Sequence, residues 1–178
     1  MLTAIGTEDS QVHHGLVERL RWQVERGQSW VDNADTKAAI LLGLNGVLAG
    51  GVFVVDPAVM AKFLTKGWFC IVLAASFAVS VGWSCLWAAL AVLPNLGKPK
   101  SGGTIFHFVD VQGMSLEEFR VASRKMSPSE EVAALEHQVH ALSNIASIKY
   151  RRLRQSVFGL LLGSGLGLLI LFVRNLPL

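Results

Sequence analysis

The charged residues that lie closest to apolar sequence are the ones whose types and spacing could do chemistry. In WVDNADTKA, Asp32, Asp35 and Lys37 stand just ahead of an uncharged run that begins at Ala38. Far along the chain, Lys149, Tyr150 and Arg151 stand at the matching level before another such run, which begins at Ser156. A carboxylate to orient, cations to hold a phosphate and a phenol ring to lie against a flat base would make Asp35, Lys37, Lys149, Tyr150 and Arg151 a ligand-contact cluster. The plainer role for charges at such a boundary is to snorkel or to pair with one another. His137 and His140 sit one helical turn apart, but no third ligand shares their spacing, and a stable metal site needs three or four. His107 lies between Phe106 and Phe108 and reads as a packed side chain. Cys70 and Cys85 fall inside an apolar run, without the spacing of a metal site or a disulfide framework. The chain has no phosphate-binding glycine loop, no HExxH and no nucleophile elbow, so neither catalytic residues nor a cofactor are expected.

The elements that must position these residues are set by an unusual composition. Of the 178 residues, 52% are apolar and only 16% charged, more apolar surface than one small domain could hide from water. The net charge of +3 is too modest to imply a nucleic-acid partner. Three uncharged runs stand out: residues 38–55 (AAILLGLNGVLAGGVFVV), 68–93 (WFCIVLAASFAVSVGWSCLWAALAVL) and 156–173 (SVFGLLLGSGLGLLILFV). At 1.5 Å per residue the first and third reach about 27 Å, close to the roughly 30 Å thickness of hydrocarbon, and the second about 39 Å. All three read as transmembrane helices, and the first lies too far behind its charged leader to be a cleaved signal.

Basic residues orient them. The leader and the stretch between the second and third runs hold 13 of the 16 lysines and arginines, with Lys149, Arg151, Arg152 and Arg154 the densest group. Only Lys62, Lys66 and Arg174 fall elsewhere. That bias puts the amino-terminal side and the central segment in the cytoplasm, and the carboxy-terminal side outside. Trp30, Trp68 and Trp87 near the run ends fit an interfacial belt.

The cytoplasmic parts carry helical stripes. Val17, Leu20, Val24, Gly27, Val31, Ala34 and Ala38 alternate three- and four-residue steps straight into the first run. SPSE at 127–130 is a capping box with proline at the first helical position. Behind it Val132, Leu135, Val139, Leu142 and Ala146 repeat the same steps and continue through Leu153. The expected fold is therefore an all-α integral membrane protein of one domain, residues 1–178. Its parts are a cytoplasmic helix at 9–37, spans at 38–55, 68–93 and 156–173, and a cytoplasmic segment at 94–155 with a long helix at 128–155. A short helix is expected at 115–126, and IFHFV at 105–109 as a strand or buried turn.

Inside the spans, small and polar residues recur. Gly159, Gly163 and Gly167 step by four, as do Gly46 and Gly50, and Ser76, Ser80 and Ser84 share a face with Ala88. Small residues let helix backbones approach where lipid gives no hydrophobic drive. They predict packing within the protomer or, as the sharper alternative, an inter-subunit face or a serine-lined aqueous path in a homo-oligomer, assembled through glycine-bearing faces, the third span first. Asn45, polar in mid-run, is expected to bond a neighbouring helix.

Residues 30–51 (WVDNADTKAAILLGLNGVLAGG), 105–119 (IFHFVDVQGMSLEEF) and 138–152 (QVHALSNIASIKYRR) together resemble the transmembrane effectors of Pycsar anti-phage systems. The resemblance covers most of the chain from about residue 12. ADxKA before an apolar run and SxIAxxKY before the last run carry it, and the matching positions are Asp35, Lys37, Ser143, Ile145, Lys149 and Tyr150. It implies an effector in the bacterial inner membrane, paired with a pyrimidine cyclase. Cyclic UMP or cyclic CMP made on infection would activate it to impair that membrane. The alternative is a membrane scaffold that anchors a partner protein through its cytoplasmic helices.

Overall fold

A computed structural model describes residues 5–54, 57–65, 67–93 and 113–174, and every element among them is helical. Helix α1 runs Ile5–Ala49 and passes into a π-helical turn at Gly50–Val54. Then come α2 (Pro57–Thr65), α3 (Trp68–Val92), α4 (Leu116–Lys125) and α5 (Pro128–Arg174). The IFHFV stretch lies outside the described residues. The chain divides into two compact units: Met1–Val31 with Pro94–Ala146, and Asp32–Leu93 with Ser147–Leu178. Helices α1 and α5 contribute residues to both.

The first unit is built on the two stripes. Val17, Leu20 and Val24 of α1 bury against Leu135 of α5, with Val132, Val139 and Leu142 packed around them. Arg21 pairs with Glu131 at 2.8 Å, and a Cβ on Gly27 would stand 3.0 Å from that of Leu142. Partners advance together along both helices, so α1 and α5 run parallel here, with the three-four spacing of a coiled-coil seam. Helix α5 starts where the SPSE motif predicts. The Ser127 backbone N–H donates to the Glu130 carboxylate at 2.7 Å, and the Glu130 N–H donates back to the Ser127 hydroxyl at 3.3 Å. Ser115 and Glu118 form the same reciprocal box at the start of α4, which buries none of its side chains.

The second unit is a three-helix arrangement in which α1 and α5 again run parallel and α3 runs against them. Toward Asp35 and Lys149, small residues allow close packing: Ala34, Ala38, Ala88 and Ala91 bury with Leu41 and Leu153. Toward the other end, Val52, Phe63, Phe77, Val81 and Ile170 form a larger cluster, which α2 joins through Phe63. Gly67 turns the chain between α2 and α3 at φ +141°, a backbone conformation that only glycine adopts without strain. Outward-facing Val47, Val79, Leu161, Leu168 and Phe172 remain exposed along the bundle. Water would not tolerate so continuous an apolar surface, whereas hydrocarbon does.

Among the described residues two helices, rather than the three spans expected, are individually long and apolar enough to cross a membrane: α3, and α5 through its carboxy-terminal part. The run at 38–55 falls short for a physical reason. Its α-helical part ends at Ala49, leaving about 18 Å of apolar α-helix before the π-helical turn. Any longer window in α1 reaches back over Lys37, Asp35 and Asp32.

Candidate functional site

Lys149 occupies a position that the α5 stripe would give to an apolar residue. The three-four series from Val132 through Leu142 and Ala146 next falls on position 149 and then on Leu153. Lys149 is accordingly 6% exposed, and a cation so deep in the bundle needs a counter-charge. Asp35 of α1 supplies it, accepting a hydrogen bond from the Lys149 ammonium. Asp35 lies beside the buried Ala34 and is itself only partly exposed.

The neighbouring residues turn to a different face. The Lys37 ammonium sits over the Tyr150 ring, 5.3 Å from its centroid, a cation–π pair that orients both. Both line an open groove of about 390 Å³, whose apolar walls are Ile40 and Leu41 of α1 and Leu153 and Val157 of α5. Arg154 lines it as well. Arg152 instead donates to the Leu90 carbonyl, capping the last turn of α3, where carbonyls lack helical partners and the dipole favours a cation.

The five cluster residues are therefore brought to one level but separated by role. Asp35 and Lys149 satisfy each other inside the bundle, Lys37 and Tyr150 pair at a groove, and Arg151 is exposed and does not line that groove. Arg154 was not singled out by sequence, although its i,i+4 relation to Tyr150 and the i,i+3 relation of Lys37 to Ile40 place them on common faces. Ser143 is exposed and Ile145 half-buried. His140 Nδ1 lies 3.3 Å from the Asn144 amide, and among the described residues no three His, Cys, Asp or Glu side chains converge as a metal site would need.

Deeper in the second unit, Asn45 is fully buried and ties three helices together. Its amide donates to the Leu41 carbonyl and to Ser84 Oγ, both at 2.8 Å, and Ser84 donates to the Ser156 carbonyl at 2.8 Å. Among the described residues the Asn45 carbonyl oxygen and the Trp87 indole N–H have no hydrogen-bond partner. Gly159, Gly163 and Gly167 all face inward. Their added Cβ atoms would meet Ser80 and Ser84, then Val81 and Leu48, then Phe77 and Val52. These contacts are the packing within the protomer, against α3 and α1 of the same chain, that the four-residue steps predict. Gly46 and Gly50 are off the packed face, with nothing within 4 Å of an added Cβ, and Ser76 is exposed, its carbonyl accepting from Ser80 at 2.8 Å.

Residues 19–174, spanning nearly all of both units, match the model of the Pycsar effector protein domain, PycTM. The chain belongs to the Pycsar effector family. Nothing among curated proteins or solved structures matches it. As a family member this Pycsar effector is a membrane protein of antiviral defence, in a family not known for catalysis. Its apolar α3 and α5 agree with that membrane setting.

Proposed function

We propose that this chain is the membrane-impairing effector of an anti-phage system, activated by cyclic UMP or cyclic CMP from a paired pyrimidine cyclase and acting in the bacterial inner membrane. The observation that carries the proposal is the family match over residues 19–174. The side chains proposed to meet the nucleotide are Lys37, Tyr150 and Arg151, with the Asp35–Lys149 pair as the strut that fixes their level. Two cations beside an aromatic ring supply what a cyclic phosphate and a flat pyrimidine require. Two long helices hold them, and a ligand shifts a conformational equilibrium only as far as it prefers one state.

The proposed topology has the leader and the central segment inside and the carboxy-terminal side outside. Residues 38–54 accompany α3 and α5 through the bilayer although they do not form a span-length α-helix by themselves. Support comes from Asn45, Leu48 and Val52, which meet residues progressively farther along α5 and earlier along α3. Self-association belongs to the same reading, now through the open α1 face that bears Gly46 and Gly50.

The test is a thermal-shift titration of the purified chain with a panel of cyclic mononucleotides, repeated on alanine variants and paired with toxicity at matched expression. Cyclic UMP or cyclic CMP should stabilise the parent. Lys37→Ala, Tyr150→Ala and Arg151→Ala should each weaken the response while leaving membrane insertion intact. A full response in all three would remove these residues from the site. No response in the parent to any cyclic pyrimidine would remove the nucleotide.

A further inference from the structure

The groove beside Tyr150 has a composition that a nucleotide does not explain. Four of its seven lining residues are Ile40, Leu41, Leu153 and Val157, whose side chains offer no hydrogen-bond partner to ribose hydroxyls or to the edge of a base. Its charged lining is cationic, Lys37 and Arg154, and the Tyr150 ring carries the Lys37 ammonium. No carboxylate lines the groove, and Asp35, at the same level of α1, already holds Lys149. The two positive charges therefore have no anion among the lining residues.

Their order along the chain matters as well. Lys37 immediately precedes the first uncharged run, and Arg154 stands two residues before the third. The apolar wall residues Ile40 and Leu41 follow Lys37 by three and four positions, and Val157 follows Arg154 by three. Because α1 and α5 run parallel here with Asp35 level with Lys149, Lys37 lies at one end of the groove and Val157 at the other, and Arg154, which follows Leu153, stands about level with Ile40. Basic pockets on the cytoplasmic side of membrane helices suit anionic headgroups.

We infer that this groove binds an anionic phospholipid, with its phosphate between Lys37 and Arg154 and the upper part of an acyl chain along Ile40, Leu41, Leu153 and Val157. The proposal does not rest on the nucleotide reading, although the two share Lys37 and Tyr150. A bound lipid would fix the relation of α1 to α5 at the level of the Asp35–Lys149 pair.

The experiment uses the full chain in mild detergent. It is titrated separately with phosphatidylglycerol and phosphatidylcholine of identical acyl chains, and bound lipid is counted by native mass spectrometry. Phosphatidylglycerol should be retained at one per chain, about tenfold or more tightly than phosphatidylcholine. The double variant Lys37→Gln, Arg154→Gln should lose that preference. Val157→Trp, which fills the groove without changing charge, should lower retention of phosphatidylglycerol. A control that removes equal charge elsewhere, Arg19→Gln with Arg124→Gln, should retain it. Equal retention of the two lipids by the parent overturns the proposal without any variant. So does an equal loss in the control, which would reduce the effect to general positive charge. Binding of cyclic UMP or cyclic CMP that depends on Lys37 and Arg154, without retention of phosphatidylglycerol, would give the groove to the nucleotide instead. Lipid retention without a nucleotide thermal shift would leave the lipid site standing while the nucleotide reading fails.

Discussion

The three inward glycines of α5 are not equivalent, and the atoms facing them decide which one tolerates a side chain. At Gly159 an added Cβ would stand 3.0 Å from the Ser80 carbonyl oxygen and 3.0 Å from the Ser84 amide nitrogen, backbone atoms that cannot turn away. At Gly167 the nearest atoms are Phe77 Cε2 at 3.1 Å and Val52 Cγ2 at 3.3 Å, side chains with room to shift. Gly165 meets nothing within 4 Å. Gly159→Ala should therefore destabilise the chain by about 1–3 kcal/mol through overpacking. Gly167→Ala should cost less. Gly165→Ala should be neutral or stabilising by up to about 1 kcal/mol, since alanine restricts the unfolded chain. Unfolding midpoints in one detergent would rank the three, and an equal loss at Gly165 and Gly159 would show that helix contact is not what the glycines provide. Asn45 belongs to the same scale. Its hydrogen bond to Ser84 was foreseeable from a lone amide in an apolar run, whereas the unpaired Trp87 indole nitrogen left no trace in spacing.

Helices α4 and α5 begin with the same device, and its chemistry makes their starts sensitive to acid. The Ser115 backbone N–H and hydroxyl hold the Glu118 carboxyl below its ordinary value, and Ser127 does the same for Glu130. A carboxylate whose pKa is depressed by folding adds stability above its unfolded pKa, about 4.3, and loses it as pH falls through the lower folded value. Helix content should thus hold from neutral pH to about 5 and decline below about 4, most steeply in α4, which has no buried side chain to retain it. Glu118→Gln should flatten the decline of α4, which amide exchange resolved to residues 116–125 would register. A decline unchanged in that variant would assign it to other carboxylates. At this scale the sequence was most readable. SPSE and the three-four stripes announce helix starts and buried faces because capping and packing are local or periodic. The groove was less readable because Tyr150 and Arg154 share a face with Lys37 only once two helices are set in register. Lys149 shows both sides: its stripe position marks it as buried, but only the register of α1 brings Asp35 to it.

At the scale of the whole molecule, the open question is what residues 38–54 do. Their α-helical part is too short for them to count as a span, yet Asn45, Leu48 and Val52 follow α3 and α5 step by step into the apolar region. If these residues cross, the leader and the central segment share one side and α2 lies on the other. If they do not, α3 alone separates the leader from the central segment, and the two fall on opposite sides. The basic residues favour the first arrangement, since both segments carry the excess. The decisive comparison is thiol labelling in a background with Cys70→Ala and Cys85→Ala. Glu18→Cys reports the leader, Lys62→Cys reports α2 and Ser123→Cys reports α4; all three native residues are exposed. In intact cells a membrane-impermeant maleimide should label position 62 and spare positions 18 and 123, and permeabilisation should expose all three. Labelling of 18 with 62 while 123 stays protected would mean that residues 38–54 lie along the surface. The Lys37–Tyr150 groove would then lose the membrane depth at which its cations would meet lipid headgroups.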